Sequence, residues 1–228
     1  MKKIVSNTLV RNGQPYIGKV LEQVIPFMYK CVVTLSVKSD DGTRKIIEDL
    51  MLKYPEKIDL EFEGVVNYGD LTEERNKMVA RSKDADWLVI LDDDDLWPTE
   101  SLKSLVSLVE LDEDVDGYNM KPFQVVDMEN HDGNWSSRYF TKWQKNIDIN
   151  YKGAWPKDLV YTGDTHLYWR HNSRVITVPH RFFHLSYLKS SSFREAGELD
   201  PMYNHKPPTK VKFTKEERKV LHGLLGNN

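Results

Sequence analysis

The sequence predicts an α/β fold. It reads as a mostly parallel sheet flanked by helices, then a mixed-β, aromatic-rich half and a C-terminal extension. Three observations carry this. Short apolar runs alternate with amphipathic helix patterns over the first hundred residues, as in a parallel sheet covered on both faces. One run, Trp87 to Leu91, opens directly onto four consecutive carboxylates, Asp92 to Asp95. From Gly117 the helical periodicity gives way to β-like runs, and four of the six tryptophans (Trp135, Trp143, Trp155, Trp169) fall in that part.

In order, Ile4 to Leu9 forms a short strand, with a turn at Asn12-Gly13. Ile17, Val20, Leu21, Val24 and Ile25 then make one helical stripe, with Pro26 beyond it. Cys31 to Val37 reads as a buried strand and ends in the polar turn Lys38 to Thr43. That turn launches a helix with Ile46, Ile47, Leu50 and Met51 inward, stopped at Pro55. Ile58, Leu60 and Phe62 alternate with acids, the period-two pattern of a half-exposed strand. Asp70 and Glu73 have the spacing of a capping box for a helix carrying Arg75, Asn76, Met78 and Val79. The Trp87–Leu91 strand follows, then a helix after Thr99 with Leu102, Leu105, Val106 and Val109 inward. Tyr118 to Val126, Ser137 to Lys142 and Arg174 to Tyr187 are the strand candidates of the second half, with a turn at Asp132-Gly133. Lys189 onward is polar and basic.

A chain of 228 residues is long enough to bury a full core. Its net charge of −3 is unevenly spread: ten acids against one base between Asp92 and Asp116, and six bases against two acids from Lys206 to Lys219. The single cysteine, Cys31, excludes an intrachain disulfide and a cysteine-rich zinc site, and its apolar neighbours mark a core residue. Ser6, Asn7 and Thr8 interrupt any signal-peptide apolar region, and no apolar stretch approaches the ~20 residues that span a bilayer. A soluble, cytoplasmic protein is expected.

Ligands of open α/β sheets bind beyond the carboxyl ends of the strands. Four adjacent carboxylates there repel one another and call for a counter-cation. A hard divalent ion such as Mg²⁺ or Mn²⁺, shared with a substrate phosphate, meets that need. Helix capping alone accounts for one or two aspartates ahead of Pro98-Thr99-Glu100, not for four.

These residues resemble the family-two-like glycosyltransferases of the GT-A fold, which move a sugar from a nucleotide donor. The matching stretches are SDDGT at Ser39 to Thr43, EERN at Glu73 to Asn76, LDDDDLWPTESL from Leu91, and more weakly TGDTHLYWR at Thr162 to Arg170. The resemblance implies a Rossmann-type sheet in one domain. Residues 1–116 would hold nucleotide-sugar and metal, 117–188 the acceptor and catalytic base, and 189–228 would be the basic extension. It implies that Asp40 or Asp41 reads the nucleoside and that Arg75 supports the diphosphate or the acids. Asp92 would contact the ribose, Asp94 would bind Mn²⁺ or Mg²⁺, and Asp95 would be a further ligand or sugar contact. Asp93 belongs to the same donor set as its least important member. Asp164 would be the general base, with Asp158 as substitute, and His184 a second metal ligand, with His180 its rival. Base catalysis opposite the leaving group implies inversion. Trp135, Trp143 and Trp155, set among polar residues and glycines, are candidates for an acceptor platform.

Two other functions compete. A nucleotidyltransferase would carry a glycine-rich basic loop after the first strand, and Thr8 to Gly13 is poor in glycine. A calcium-binding module with an EF-hand loop from Asp92 needs Gly at 97 and Glu at 103, where the chain has Trp97 and Lys103. The acceptor stays open between a saccharide and a modified base in phage-type DNA, which the basic segment with Lys189 and Arg194 would suit.

Overall fold

The computed structural model describes residues 1–63, 71–111, 113–134, 136, 140–146, 148–152, 159–162, 165–166, 174–188 and 208–226. The first half runs β1 (Ile4–Val10), α1 (Ile17–Val24), a 3₁₀ turn (Ile25–Phe27), β2 (Lys30–Ser36), α2 (Thr43–Lys53), β3 (Ile58–Glu63), α3 (Leu71–Arg81), β4 (Trp87–Ile90), β5 (Asp95–Leu96) and α4 (Thr99–Leu111). The second half runs β6 (Gly117–Asp127), β7 (Asn130–Asp132), β8 (Phe140–Lys145), β9 (Ile149–Lys152), β10 (Leu159–Thr162), β11 (Thr165–His166), β12 (Val175–His184), β13 (Lys210–Lys212) and α5 (Lys215–Leu225).

Strands β3, β2, β1 and β4 lie side by side and parallel in that order. Their side chains alternate between two cores. Ile4, Cys31, Val33, Trp87 and Val89 face one, with α1, α2 and α4. Val5, Val32 and Leu88 face the other, with Met78 of α3 and Ile149 and Tyr151 of β9. Burial on both faces explains why β2 and β4 read as near-continuous apolar runs. At the sheet edge β3 is only half covered, and Phe62 there lies under the Arg44 guanidinium at 4.8 Å. Met51, expected inward on α2, is 36% exposed. Burial pushes the Cys31 thiol up to about 11, as suits a core residue.

The sheet continues with antiparallel strands. β8 pairs with β4, and β6 with β8. On its other side β6 takes β12 in parallel, and β12 also pairs antiparallel with β5. β9, β10 and β11 form a separate small sheet. Of the strand expected at Ser137–Lys142, residues 137–139 lie outside the described residues; β8 covers Phe140–Lys145, so that Trp143 pairs with Val89 and enters the core fully buried. Trp143 is therefore excluded as an acceptor platform; it packs edge-on against Trp97. Asp70, half of the expected capping box, lies outside the described residues.

The described part of the C-terminal segment is packed rather than trailing. β13 pairs with β7, and Phe213 and Leu221 enter the main core. A capping box of Thr214 and Glu217 starts α5. Gly226, left-handed at φ 69, ends it, and the Lys19 ammonium of α1 donates to the Leu225 carbonyl. Among the described residues no helix is long and apolar enough to cross a membrane.

Candidate functional site

A parallel order of β3-β2-β1-β4 reverses direction between β1 and β4, so the loops after these two strands open the crevice in which such sheets bind ligands. After β1, Asn12 adopts φ 52, a left-handed conformation that asparagine tolerates. Its carboxamide donates to Asp40 Oδ1 at 2.8 Å and accepts from the Asp40 backbone N–H at 3.0 Å. The Asn12 and Gly13 N–H groups donate to Ser39 Oγ and Thr43 Oγ1. Of the two candidate nucleoside readers, Asp41 spends both carboxylate oxygens on the Gln14 and Thr43 backbone N–H groups. Asp40 is exposed, and it is Oδ1 that accepts from the Asn12 carboxamide. At Gly13 a β-carbon would stand 3.1 Å from Asp93 Oδ2, which brings the β1 loop against the acidic run.

The acidic run is folded back on itself. The Asp95 N–H donates to the Asp92 carbonyl at 3.1 Å, and Asp95-Leu96 pairs with Phe183-His184 at the end of β12. The Leu185 N–H donates to the Asp94 carbonyl, and the Trp97 N–H to Gln23 Oε1 of α1. Beneath this turn Trp97 stacks on Phe182 with centroids 4.7 Å apart. His184 Nδ1 thereby comes 2.7 Å from Asp95 Oδ1 and 3.3 Å from Asp94 Oδ1. His184, and not its rival His180, reaches the acids: ligand atoms of Asp92, Asp95 and His184 lie within 4.8 Å of one another.

A fifth residue, unforeseen from sequence, completes the cluster. Between the pairs Tyr118–Trp143 and Asn119–Thr141 the β6–β8 register slips, and Lys142 is the extra residue of that bulge. Its side chain, 8% exposed, sits 2.5 Å from Asp92 Oδ2 and 2.8 Å from Asp95 Oδ2. Bulges beside functional sites re-aim side chains in this way. Asp95 is fully buried, held by Lys142 on one oxygen and His184 on the other, whereas the Asp92 side chain is 40% exposed.

Burial works against the charges of Asp92, Lys142 and His184, and their partners outweigh it. Burial raises the Asp92 carboxyl, but Lys142, His184 and Arg75 hold it well below the usual carboxylate range. Burial lowers the Lys142 ammonium, but Asp92 and Asp95 raise it above the ordinary lysine value. Burial likewise lowers His184, yet Asp94 and the Asp95 hydrogen bond carry it up to about 9. Burial and the charge of Asp94 raise Tyr16, at the start of α1.

Arg75 lies over the Tyr151 ring at 5.5 Å and contributes to the field at Asp92. Next to it, Asn76 exchanges two hydrogen bonds with the Tyr151 backbone, at 2.9 and 2.7 Å, and so fastens β9 to α3. Asp164, Asp158, Trp135, Trp155, Lys189 and Arg194 lie outside the described residues.

Residues 10–201 match the model of the glycosyltransferase-like family 2. The chain belongs to this family. No curated protein matches it. Among solved structures, Staphylococcus aureus TarS residues 1–349 superposes with a TM-score of 0.54 at 20% identity, over 81% of this chain and 60% of that one. A longer TarS chain is covered for only 22% of its length, at a TM-score of 0.42. The glucosyl-3-phosphoglycerate synthase from Mycobacterium tuberculosis, in complex with Mn²⁺, UDP-glucose and phosphoglyceric acid, matches at 16% identity and a TM-score of 0.35, over 54% of this chain and 44% of that one. The likeness to the TarS 1–349 structure identifies the family member's fold as GT-A.

Proposed function

We propose that this chain transfers a sugar from a nucleoside-diphosphate donor to an acceptor hydroxyl, using a divalent cation and inverting the anomeric carbon. The carrying observation is the meeting of Asp94 and His184, remote in sequence, at the carboxyl end of β4 within a family-2-like chain. One carboxylate oxygen and one imidazole nitrogen make a donor set that Mn²⁺ or Mg²⁺ accepts, completed by substrate phosphates. Such an ion, when bound, supplies Lewis-acid stabilisation of the charge that builds on the departing diphosphate.

The chain's own residues divide the remaining work. Asp40, braced by Asn12, reads the nucleoside; Asp92 faces the ribose, with Arg75 over the approach to the diphosphate. Asp95 orients His184 and Lys142 from beneath. Asp164 takes the acceptor proton as the acceptor oxygen bonds to the anomeric carbon and the sugar–phosphate bond breaks. The nucleoside diphosphate leaves on the opposite face. Trp135 and Trp155 would offer the acceptor, a saccharide, aromatic faces.

Calorimetric titration of nucleoside diphosphates and nucleotide sugars, with and without Mn²⁺, tests the reading. Asp94→Ala loses metal-dependent donor binding. Asp164→Asn keeps donor binding and loses roughly 10²- to 10⁴-fold in transfer rate. Wild-type protein that binds no nucleoside diphosphate in either condition rules the proposal out.

A further inference from the structure

Lys142 has no counterpart among the residues expected from sequence, and the acid cluster is arranged around it. Its ammonium stands between Asp92 Oδ2 at 2.5 Å and Asp95 Oδ2 at 2.8 Å, in the space a cation bridging these two carboxylates would take. Lys142 is the extra residue of the β8 bulge, and its ammonium also lies over the Phe182 ring, 5.4 Å from the centroid.

We propose that Lys142 is the resident counter-cation of this site: it neutralises the Asp92–Asp95 pair and so leaves only Asp94 and His184 to a divalent ion. The inference rests on the donor-site reading above. Two protein ligands hold a hard divalent ion weakly, and substrate phosphates must supply the rest. The protein thus takes up its ion together with the nucleoside diphosphate rather than ahead of it. Without the lysine, the same carboxylates become an open cation site.

Direct Mn²⁺ titration of nucleotide-free protein tests this, by calorimetry or by the loss of the free-ion paramagnetic signal. Lys142→Met binds Mn²⁺ at least about 10-fold more tightly than wild type, since a cation competing for the same oxygens is gone. Lys142→Arg keeps the charge and the weak wild-type affinity. Mn²⁺ binding by Lys142→Met no tighter than wild type overturns the proposal. If Lys142→Met folds poorly, thermal melting decides: Mn²⁺ raises its melting temperature more than that of wild type, and equal shifts overturn the idea. A purely structural lysine would not raise metal affinity when removed. A repeat of the wild-type titration with UDP or GDP present separates the two readings. No Mn²⁺ uptake even then defeats the donor site, whereas Lys142 is judged by the nucleotide-free comparison.

Discussion

Asn12 concentrates several functions in one side chain. It holds the left-handed turn after β1 and carries two hydrogen bonds to Asp40, although it is itself 7% exposed. Two substitutions separate backbone from side chain. Asn12→Gly adopts the turn freely but releases Asp40, so its stability loss is limited to the two hydrogen bonds while nucleoside-diphosphate affinity falls. Asn12→Ala loses the same hydrogen bonds and also keeps a β-carbon where φ is positive, a further cost of roughly 1–2 kcal/mol relative to glycine. Urea denaturation with parallel nucleotide titration checks this: both variants bind weakly, and the alanine variant unfolds at lower urea than the glycine variant. Residue types alone were an uneven guide. Asp94 and His184 were nameable because a carboxylate run and a late histidine are chemically conspicuous. Lys142 was not, because adjacent Lys142 and Trp143 are both buried, which period-two alternation forbids without a bulge.

At the scale of elements, the parallel half was legible because β2 and β4 are near-continuous apolar runs, β3 alternates with period two, and turn residues punctuate them. The β8 boundaries and the two-residue β5 were not, since pairing partners far away in sequence decide them. The α3–β9 contact is of this second kind, and Asn76 holds it through two backbone-directed bonds. Asn76→Ala leaves the Tyr151 N–H and carbonyl without that partner, costing about 2 kcal/mol at the usual net value per bond. Hydrogen exchange at the Tyr151 amide should accelerate, and donor binding through Asp40 should persist. The β6–β7 hairpin carries a pH dependence. His131 packs between Phe123 and Phe213, and burial lowers its pKa from the ordinary 6.5. The unfolded chain therefore takes up this proton first. The His131 contribution is intact above pH 6.5 and is lost as the pH falls through that value towards the lower folded one. Melting at pH 7.5 and pH 5 should show a smaller acid-induced drop for His131→Phe than for wild type.

For the molecule as a whole, the described part of the basic C-terminal extension, residues 208–226, packs onto the fold. The signal was present in Thr214-Lys215-Glu216-Glu217, a threonine followed three residues later by glutamate. Its high charge masked the apolar Val220, Leu221 and Leu224, which pack against or within the core. α5 is tied at its start by the capping box, along its length by Leu221, and at its end by Lys19. Lys19 projects from the same α1 whose Gln23 steadies the turn after the acidic run. The core anchor and the donor site are nevertheless separate in composition, since none of the site's acids, Lys142 or His184 belongs to α5. Leu221→Ala removes a fully buried side chain and should cost roughly 2–5 kcal/mol. In a chain of 228 residues each kcal/mol lowers the melting temperature by about 2–4 °C, so a drop of roughly 4–20 °C is expected. Nucleotide affinity, titrated well below that temperature, should match wild type. A variant that melts normally would show α5 to be a passive appendage, and one that melts early but also binds nucleotide poorly would show that α5 supports the crevice through α1.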